Sequence, residues 1–235
     1  MTKYNKNHPD SIKKMFGSIA KQYDRTNAIL SFQMHRWWNR QLVKSMPGKM
    51  SVLADLCCGT GEIAQGYLKR CRDSKKAYLI DFCPEMLDHA RLKNLESGRH
   101  EIEYITADVQ AIPLRDHCVD AATVAYGIRN VKEPRRFISE VYRILKPGGS
   151  FGILELTRPQ NKMLRSGHEF YLRNVLPILG KLATSNKGAY EYLCSSIENF
   201  TKPEELESMM RQEGFVEIKR KPLMGGIATI IIGKR

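Results

Sequence analysis

The sequence predicts an α/β fold on a mostly parallel sheet, and three observations carry that prediction. Strand-like apolar runs alternate with helix-like stretches through the middle of the chain. One such run ends in an acid and a glycine-rich turn, Leu53-Ala54-Asp55-Leu56-Cys57-Cys58-Gly59-Thr60-Gly61, and a second acid, Asp81, follows twenty residues after Gly61. Two late strand-like runs, separated by a short polar loop, predict an antiparallel pair at the C-terminal edge. The length of 235 residues suits one large α/β domain with a small cap.

Taken in order, residues 11–46 place Ile12, Met15, Phe16, Ile19, Tyr23, Leu30, Trp38 and Leu42 at helical spacings, and Pro47-Gly48 closes the region. This predicts an N-terminal helical cap over 1–48, with the main domain spanning 49–235. Within that domain, 52–56 reads as a buried strand and 62–70 as a helix. A second strand over 77–80 ends at Asp81, and Pro84 opens the next helix. Strands follow at 102–106 and 119–125. A helix over 134–145 is stopped by Lys146-Pro147-Gly148-Gly149 before a fifth strand, 150–155. Residues 161–200 read as a helical insertion interrupted at Pro177, Gly180 and Gly188. A helix over 203–213 closes at Gly214, and 215–219 and 227–233 are the two late strands.

A strand, an acid, a glycine turn and a helix are how a Rossmann-like fold opens its nucleotide pocket. The glycines let the backbone turn tightly and approach a ligand, and the later acid can accept from ribose hydroxyls. Gly59-Thr60-Gly61 with Asp81 therefore admits either a dinucleotide or S-adenosylmethionine. Three features tip the choice to the methyl donor. Asp55 stands just before the glycines, where it repels a pyrophosphate but not the cationic amino acid portion of S-adenosylmethionine. Asp108 follows the third strand, placed to accept from the adenine amine. Leu145-Lys146-Pro147-Gly148-Gly149 is a helix–turn–strand passage that recurs in class I S-adenosylmethionine-dependent methyltransferases.

The formal charge is +13, and residues 1–50 hold ten Lys or Arg against Asp10 and Asp24. That bias favours anionic partners, or is simply a solvated basic surface. No eighteen-residue apolar run occurs and the first residues are polar, so a cytoplasmic protein is the expectation. Six cysteines form no C-x-x-C pair. Cys57 and Cys58 read as small apolar fillers of the turn, and no metal site is expected.

Further stretches carry a more specific signal. Phe16-x-x-Ile19-Ala20-x-x-Tyr23-Asp24-x-x-Asn27, then Ser31, His35, Trp37 and Trp38, come first. Tyr126-Gly127-Ile128-Arg129-Asn130-Val131, Leu154-Glu155-Leu156-Thr157-Arg158-Pro159, Leu176-Pro177-x-x-Gly180 and Tyr190-x-Tyr192-Leu193-x-x-Ser196-Ile197 follow. In this order and spacing the chain resembles the UbiE/MenG-type quinone C-methyltransferase family from about Met15 to Gly233. The resemblance implies methyl transfer from S-adenosyl-L-methionine to a ring carbon of a prenylated quinol. Demethylmenaquinol is favoured by the short chain, and 2-polyprenyl-6-methoxy-benzoquinol is the alternative. It carries over Thr60, Asp81, Asp108 and Val109 as cofactor residues, beside Asp55, Gly59 and Gly61 from the turn. It also implies Tyr23, Arg129 and Asn130 around the acceptor, and a homodimer. A serine found in some members before the Tyr126 block is Ala125 here.

The chemistry fits that reading. The sulfonium methyl is already electrophilic, so the enzyme has to orient an electron-rich quinol, exclude water and help remove a phenolic proton. Arg129 can stabilise a phenolate but is a poor proton acceptor, so a water held by Tyr23, Arg129 and Asn130 is the expected relay. His35 and His168 are further candidate bases, and Glu155 ends the fifth strand near the pocket. A prenyl tail requires contact with the membrane surface on its inner face. The basic N-terminal region and the apolar stretch 175–182 are the expected means. A nucleic-acid methyltransferase is the competing class, on charge alone. The chain lacks an Asn/Asp-Pro-Pro-Tyr/Phe motif and a basic–aromatic RNA signature, so no nucleic-acid partner is expected. A small-molecule O- or N-methyltransferase of the same fold is a third reading.

Overall fold

The structure is a computed structural model that describes residues 4–71, 75–93, 100–183 and 187–235. The helical N-terminal pattern resolves into α1 (Pro9–Ile19), α2 (Tyr23–Leu30) and α3 (Met34–Ser45). Ala20–Gln22 tighten into a 3-10 turn between the first two. Phe32 and Gln33 break the second junction with φ of 47° and 67°, a left-handed conformation that no helix continues through.

The main domain follows as β1 (Val52–Leu56), α4 (Glu62–Arg70), β2 (Lys76–Asp81), α5 (Pro84–Leu92), β3 (Glu101–Thr106), β4 (Val119–Ala125), α6 (Pro134–Ile144) and β5 (Leu145–Leu156). Then come α7 (Lys162–Phe170), a wide helical turn at Tyr171–Val175, α8 (Leu176–Ala183), α9 (Lys187–Glu198), α10 (Pro203–Glu213), β6 (Val216–Leu223) and β7 (Ala228–Lys234). The seven strands form one sheet in the order β3-β2-β1-β4-β5-β7-β6. All pairings from β3 to β5 are parallel, and β7 runs antiparallel to both β5 and β6. The late strands thus make the antiparallel edge that their spacing predicts.

Two boundaries differ clearly from expectation, and one is the end of β6, which runs to Leu223 where the strand is expected to stop at 219. At the other, Lys146–Gly149 does not separate helix from strand but lies inside β5, as an irregularity in its pairing with β4. Leu145 pairs with Val119 and Ser150 with Ala121, so the four residues between are looped out of register, and Gly148 takes φ of 77° to allow it.

Both faces of the sheet are covered, as parallel strands require. On one side Phe137 and Val141 of α6 and Met210 of α10 pack on Phe151 and Ile153. On the other, Leu42 of α3, Ile63 and Tyr67 of α4 and Leu87 of α5 pack on Leu53, Leu79 and Ile230. Side chains such as Phe137 and Tyr67 are fully buried, each contributing about 1.5–3 kcal/mol from burial. This rigid sheet leaves its carboxyl edge to be built on by α1–α3 and α7–α9.

Candidate active site

Strand order reverses between β1 and β4, and the crevice at that switch point is where an open α/β sheet holds ligands. The turns after these two strands nest tightly. Cys57 and Tyr126, which follow their last residues, both take left-handed backbone, φ 50° and 58°. Neither is glycine, so both conformations are strained. A Cβ on Gly127 would stand 2.4 Å from Cβ of Cys57, so only glycine lets the turns meet. Gly59 and Gly61 complete the first turn at φ 54° and 78°, Gly61 as the residue before α4.

A first cavity, of about 80 Å³, opens over this turn and is lined by Gly59, Asp81, Asp108, Val109 and Asn130, with Phe16 of α1 on the opposite side. Asp81 is buried, and its two oxygens accept from the backbone N–H of Gly59 (2.8 Å) and of Cys83 (2.9 Å). Burial pushes its pKa up to about 6 against those donors. Asp108 is exposed at the rim, where Gln110 donates to it from both its backbone N–H and its side-chain amide. Ala125, the residue standing in place of the family's serine, also lines this cavity. So does Cys57, whose thiol burial pushes far up, which leaves it protonated and no nucleophile.

A second cavity, of about 340 Å³, lies beside the first and is lined mainly by apolar side chains of α2, α3, α7 and α9, among them Leu30, Trp38 and Leu193. Arg129, His35 and His168 are among its polar lining, with Asn27 and Ser31. Arg129 is buried and donates through Nη1 to Glu155 Oε1 (2.5 Å) and to the Tyr126 carbonyl (2.6 Å), while its buried Nε has no partner. Burial raises the pKa of Glu155, opposed by the Arg129 guanidinium. Both histidines are held below their ordinary value by burial. Nδ1 of His35 bonds with Ser31 Oγ at 2.7 Å.

Tyr23 and Tyr126 line both cavities and form the wall between them. Burial raises the pKa of the Tyr23 phenol, opposed by the nearby Arg129 charge, so it stays a donor. Its ring lies over the glycine turn, 3.9 Å from where a Cβ on Gly59 would be. Tyr126 donates to Asn39 Oδ1 (3.0 Å), and Asn39 donates to Glu62 Oε2 (2.9 Å).

Three residues expected at the cofactor lie away from both cavities. Asp55 faces inward, accepting from Ala64 N–H (3.0 Å) and Thr123 Oγ1 (2.8 Å), and so fastens α4 to β1 and β4. Thr60 donates to Asp24 Oδ1 (2.6 Å) and accepts from Lys93 Nζ (2.8 Å), while Lys93 also pairs with Asp24. This triad ties α2 to the turn. Gly61 serves the turn through its backbone. Asn130, expected at the acceptor, lines the first cavity instead, with its Oδ1 accepting from Tyr192 OH at 2.9 Å. Sequence reasoning assigned no role to Tyr126, although its place immediately after β4 mirrors that of Cys57 after β1.

The chain as a whole, residues 1–235, matches the model of the ubiE/COQ5 methyltransferase family. The chain belongs to the ubiE/COQ5 methyltransferase family. A demethylmenaquinone methyltransferase of Protochlamydia amoebophila is 51% identical over 99% of this chain and 98% of its own length. One of Chlamydia pneumoniae is 41% identical over 95% of each. A solved S-adenosylmethionine-dependent methyltransferase from Thermotoga maritima, described as a possible histamine N-methyltransferase, superposes with TM-score 0.65 at 20% identity, covering 94% of this chain and 98% of its own. That likeness shows the class I fold.

As a ubiE/COQ5 family member the chain is an S-adenosylmethionine-dependent methyltransferase, and the first cavity carries groups suited to that donor. Asp81 keeps acceptor capacity beyond its two backbone bonds. The turn at Gly59 carries no side chain to obstruct an approach, and Phe82, Met86 and Val109 supply apolar flanks for a base. No helix among the described residues is long and apolar enough to cross a membrane.

Proposed function

We propose that this chain methylates a ring carbon of a prenylated quinol, demethylmenaquinol, with S-adenosylmethionine as donor. The observation that carries the reading is the meeting of two cavities of opposite character at one wall, Tyr23 and Tyr126. One offers a buried carboxylate and a bare glycine turn. The other is lined mostly by apolar side chains, with Arg129, His35, His168, Asn27, Ser31 and tyrosines among them. The names of the relatives at 51% and 41% identity support the naphthoquinol ring.

Bound S-adenosylmethionine supplies an electrophilic methyl group. The protein's part is to hold and activate the nucleophile. Arg129 keeps its charge at any physiological pH, and the ion pair with Glu155 fixes its fork against the Tyr126 carbonyl. Arg129 lines the acceptor cavity, and its guanidinium charge favours a phenolate oxygen in surroundings of low polarity, where such an interaction is strong. Tyr23, protonated and beside Arg129, adds a second donor. His35 and His168 are neutral and line the same wall, so either can take the phenolic proton, directly or through water. Asn130 and Tyr192 brace the donor side. The donor cavity is narrower than the roughly 300–1,000 Å³ usual for small-molecule sites, so outward movement of α1, which carries Phe16 and Ile12 on its wall, admits the donor.

The test offers labelled S-adenosylmethionine with reduced demethylmenaquinone, with the reduced benzoquinone precursor and with bulk RNA. Label in the naphthoquinol is the expected outcome. Label in the benzoquinol alone selects the ubiquinone-type acceptor, and label only in RNA overturns the quinol reading.

A further inference from the structure

A cavity of about 340 Å³ holds a ring and the start of an isoprenoid tail, not a long polyprenyl chain. The rest of the tail must leave through the mouth. Large apolar side chains stand in water there. Phe32 (66% exposed), Met224 (44%) and Leu164 (37%) line the cavity, and Met163 (85%) and Phe170 (63%) flank it on α7.

α7 is an amphipathic helix whose exposed apolar face meets no neighbour among the described residues beyond the contact of Leu164 with Gly225. Met163, Leu164, Gly167 and Phe170 recur at helical spacing on one side, and none of its residues is buried. Asn161 accepts from the N–H groups of Met163 and Leu164, capping its start. Two of the rim residues are held out by strained backbone: Phe32 at φ 47° and Met224 at φ 48°. Non-glycine residues keep such conformations where the surroundings enforce them, most often at functional sites. Charge complements the patch. Exposed Arg25 and Arg36 share a groove with Phe32, and exposed Lys162 opens α7. The acid in that groove, Asp24, is already held by Lys93 and Thr60.

We infer that this face docks on a bilayer carrying anionic lipid. The apolar side of α7 sinks into the headgroup boundary with Phe32 and Met224, and Arg25, Arg36 and Lys162 meet lipid phosphates. The cavity mouth then opens into the lipid, so the quinol ring enters while its tail stays in the membrane. The inference rests on the quinol reading and relocates the contact foreseen in the sequence. Of that stretch, 175–182, the side chains are described for 175–180; among them Leu176 packs in the interior and Ile178 is exposed.

The test uses the full chain with vesicles of phosphatidylcholine, with or without phosphatidylglycerol. Wild type is expected to sediment with the mixed vesicles and about tenfold less with the neutral ones. Met163→Asp combined with Phe170→Asp lies outside both cavity linings, so it should leave turnover of a water-soluble, single-isoprene quinol unchanged. Vesicle binding and turnover of a long-tailed quinol in vesicles should fall together, by about tenfold or more. Equal binding of variant and wild type overturns the inference, as does a wild type that binds neither vesicle. Loss of a dimer in the variant, with no vesicle binding by wild type, assigns the face to a second copy instead. A wild type that binds vesicles but methylates neither quinol refutes the quinol reading while leaving the docking face intact.

Discussion

Replacing Asp81 by asparagine tests the donor site at one atom. An ionised carboxylate offers about four acceptor positions. The backbone N–H groups of Gly59 and Cys83 use two of them, and Asp81 also lines the donor cavity, where the proposed partners of its remaining capacity are the ribose hydroxyls. The amide turns one oxygen into a donor, which then opposes one of the two backbone N–H groups. One ligand bond is lost outright and the other loses its charge. Hydrogen bonds to charged groups contribute about 1.5–3 kcal/mol each, so the loss is about 2–4 kcal/mol, or roughly 30- to 1,000-fold in donor affinity. The fold itself loses about 1–3 kcal/mol for one stranded N–H, partly offset because a buried charge is removed. Titration calorimetry with S-adenosylmethionine reads the affinity, and circular dichroism confirms that the variant is folded. The wild type carries an internal check. Ligand hydroxyls favour the ionised carboxylate, so affinity should fall as pH drops through about 6, and Asp81→Asn should be flat there. A folded variant whose affinity stays within about threefold of wild type refutes the assignment.

Three other predictions address the acceptor wall and the frame. Arg129→Ala should abolish turnover with donor binding intact, and should destabilise the chain by about 3–5 kcal/mol because Glu155 is left buried and unpaired. Adding Glu155→Gln should restore the thermal midpoint but not turnover, and recovered turnover would sink the role given to Arg129. Gly127→Ala forces a Cβ to 2.4 Å from Cys57 and should cost about 1–3 kcal/mol in urea unfolding, relieved by Cys57→Gly. Burial raises Asp55 to about 7, so the folded state favours its protonated form. The stability it contributes is complete below the unfolded value of about 4 and is lost as pH rises through about 7. Urea midpoints across that window should decline in wild type and decline less in Asp55→Asn.

The sheet was legible because its signals are local. Strand periodicity, proline-opened helices and the glycine turn each act within ten residues, and β1, β2 and β4 lie where the pattern puts them. Asp81 was legible for the same reason: a strand end fixes where its side chain goes. Asp55 was not. It stands one residue before the end of β1, and its carboxylate is held inward by Thr123, sixty-eight residues away, and by the N–H of Ala64. Thr60 was claimed by Asp24 and Lys93 through tertiary contact in the same way. The mouth of the acceptor cavity was least legible of all, because α7, Phe32 and Met224 meet only through the fold. Their exposed apolar side chains look in sequence like ordinary core residues.

The two halves of the site have different physical origins, and this bears on how acceptor choice is set. The donor contacts proposed at Gly59, Asp81 and Val109 come from loops rooted in the central parallel strands, whose geometry packing on both faces holds fixed. Most of the acceptor wall comes from segments added outside that unit: Tyr23, Leu30 and His35 before β1, and His168, Leu172 and Leu193 between β5 and β6. A structure at only 20% identity keeps the fold, as expected if the added segments change while the sheet persists. Leu156, Met224 and Ile227 come from β5 and the β6–β7 turn, and Arg129 and Tyr126 follow β4 directly. Arg129 and Tyr126 bring part of the acceptor's polar wall onto the sheet, where Tyr126 together with Tyr23 adjoins the donor cavity. Methyl transfer needs reacting atoms held to within tenths of an ångström, and the strained turn at Tyr126, tied through Asn39 to Glu62 at the start of α4, is the element that couples the helical half of the site to the half borne by the sheet.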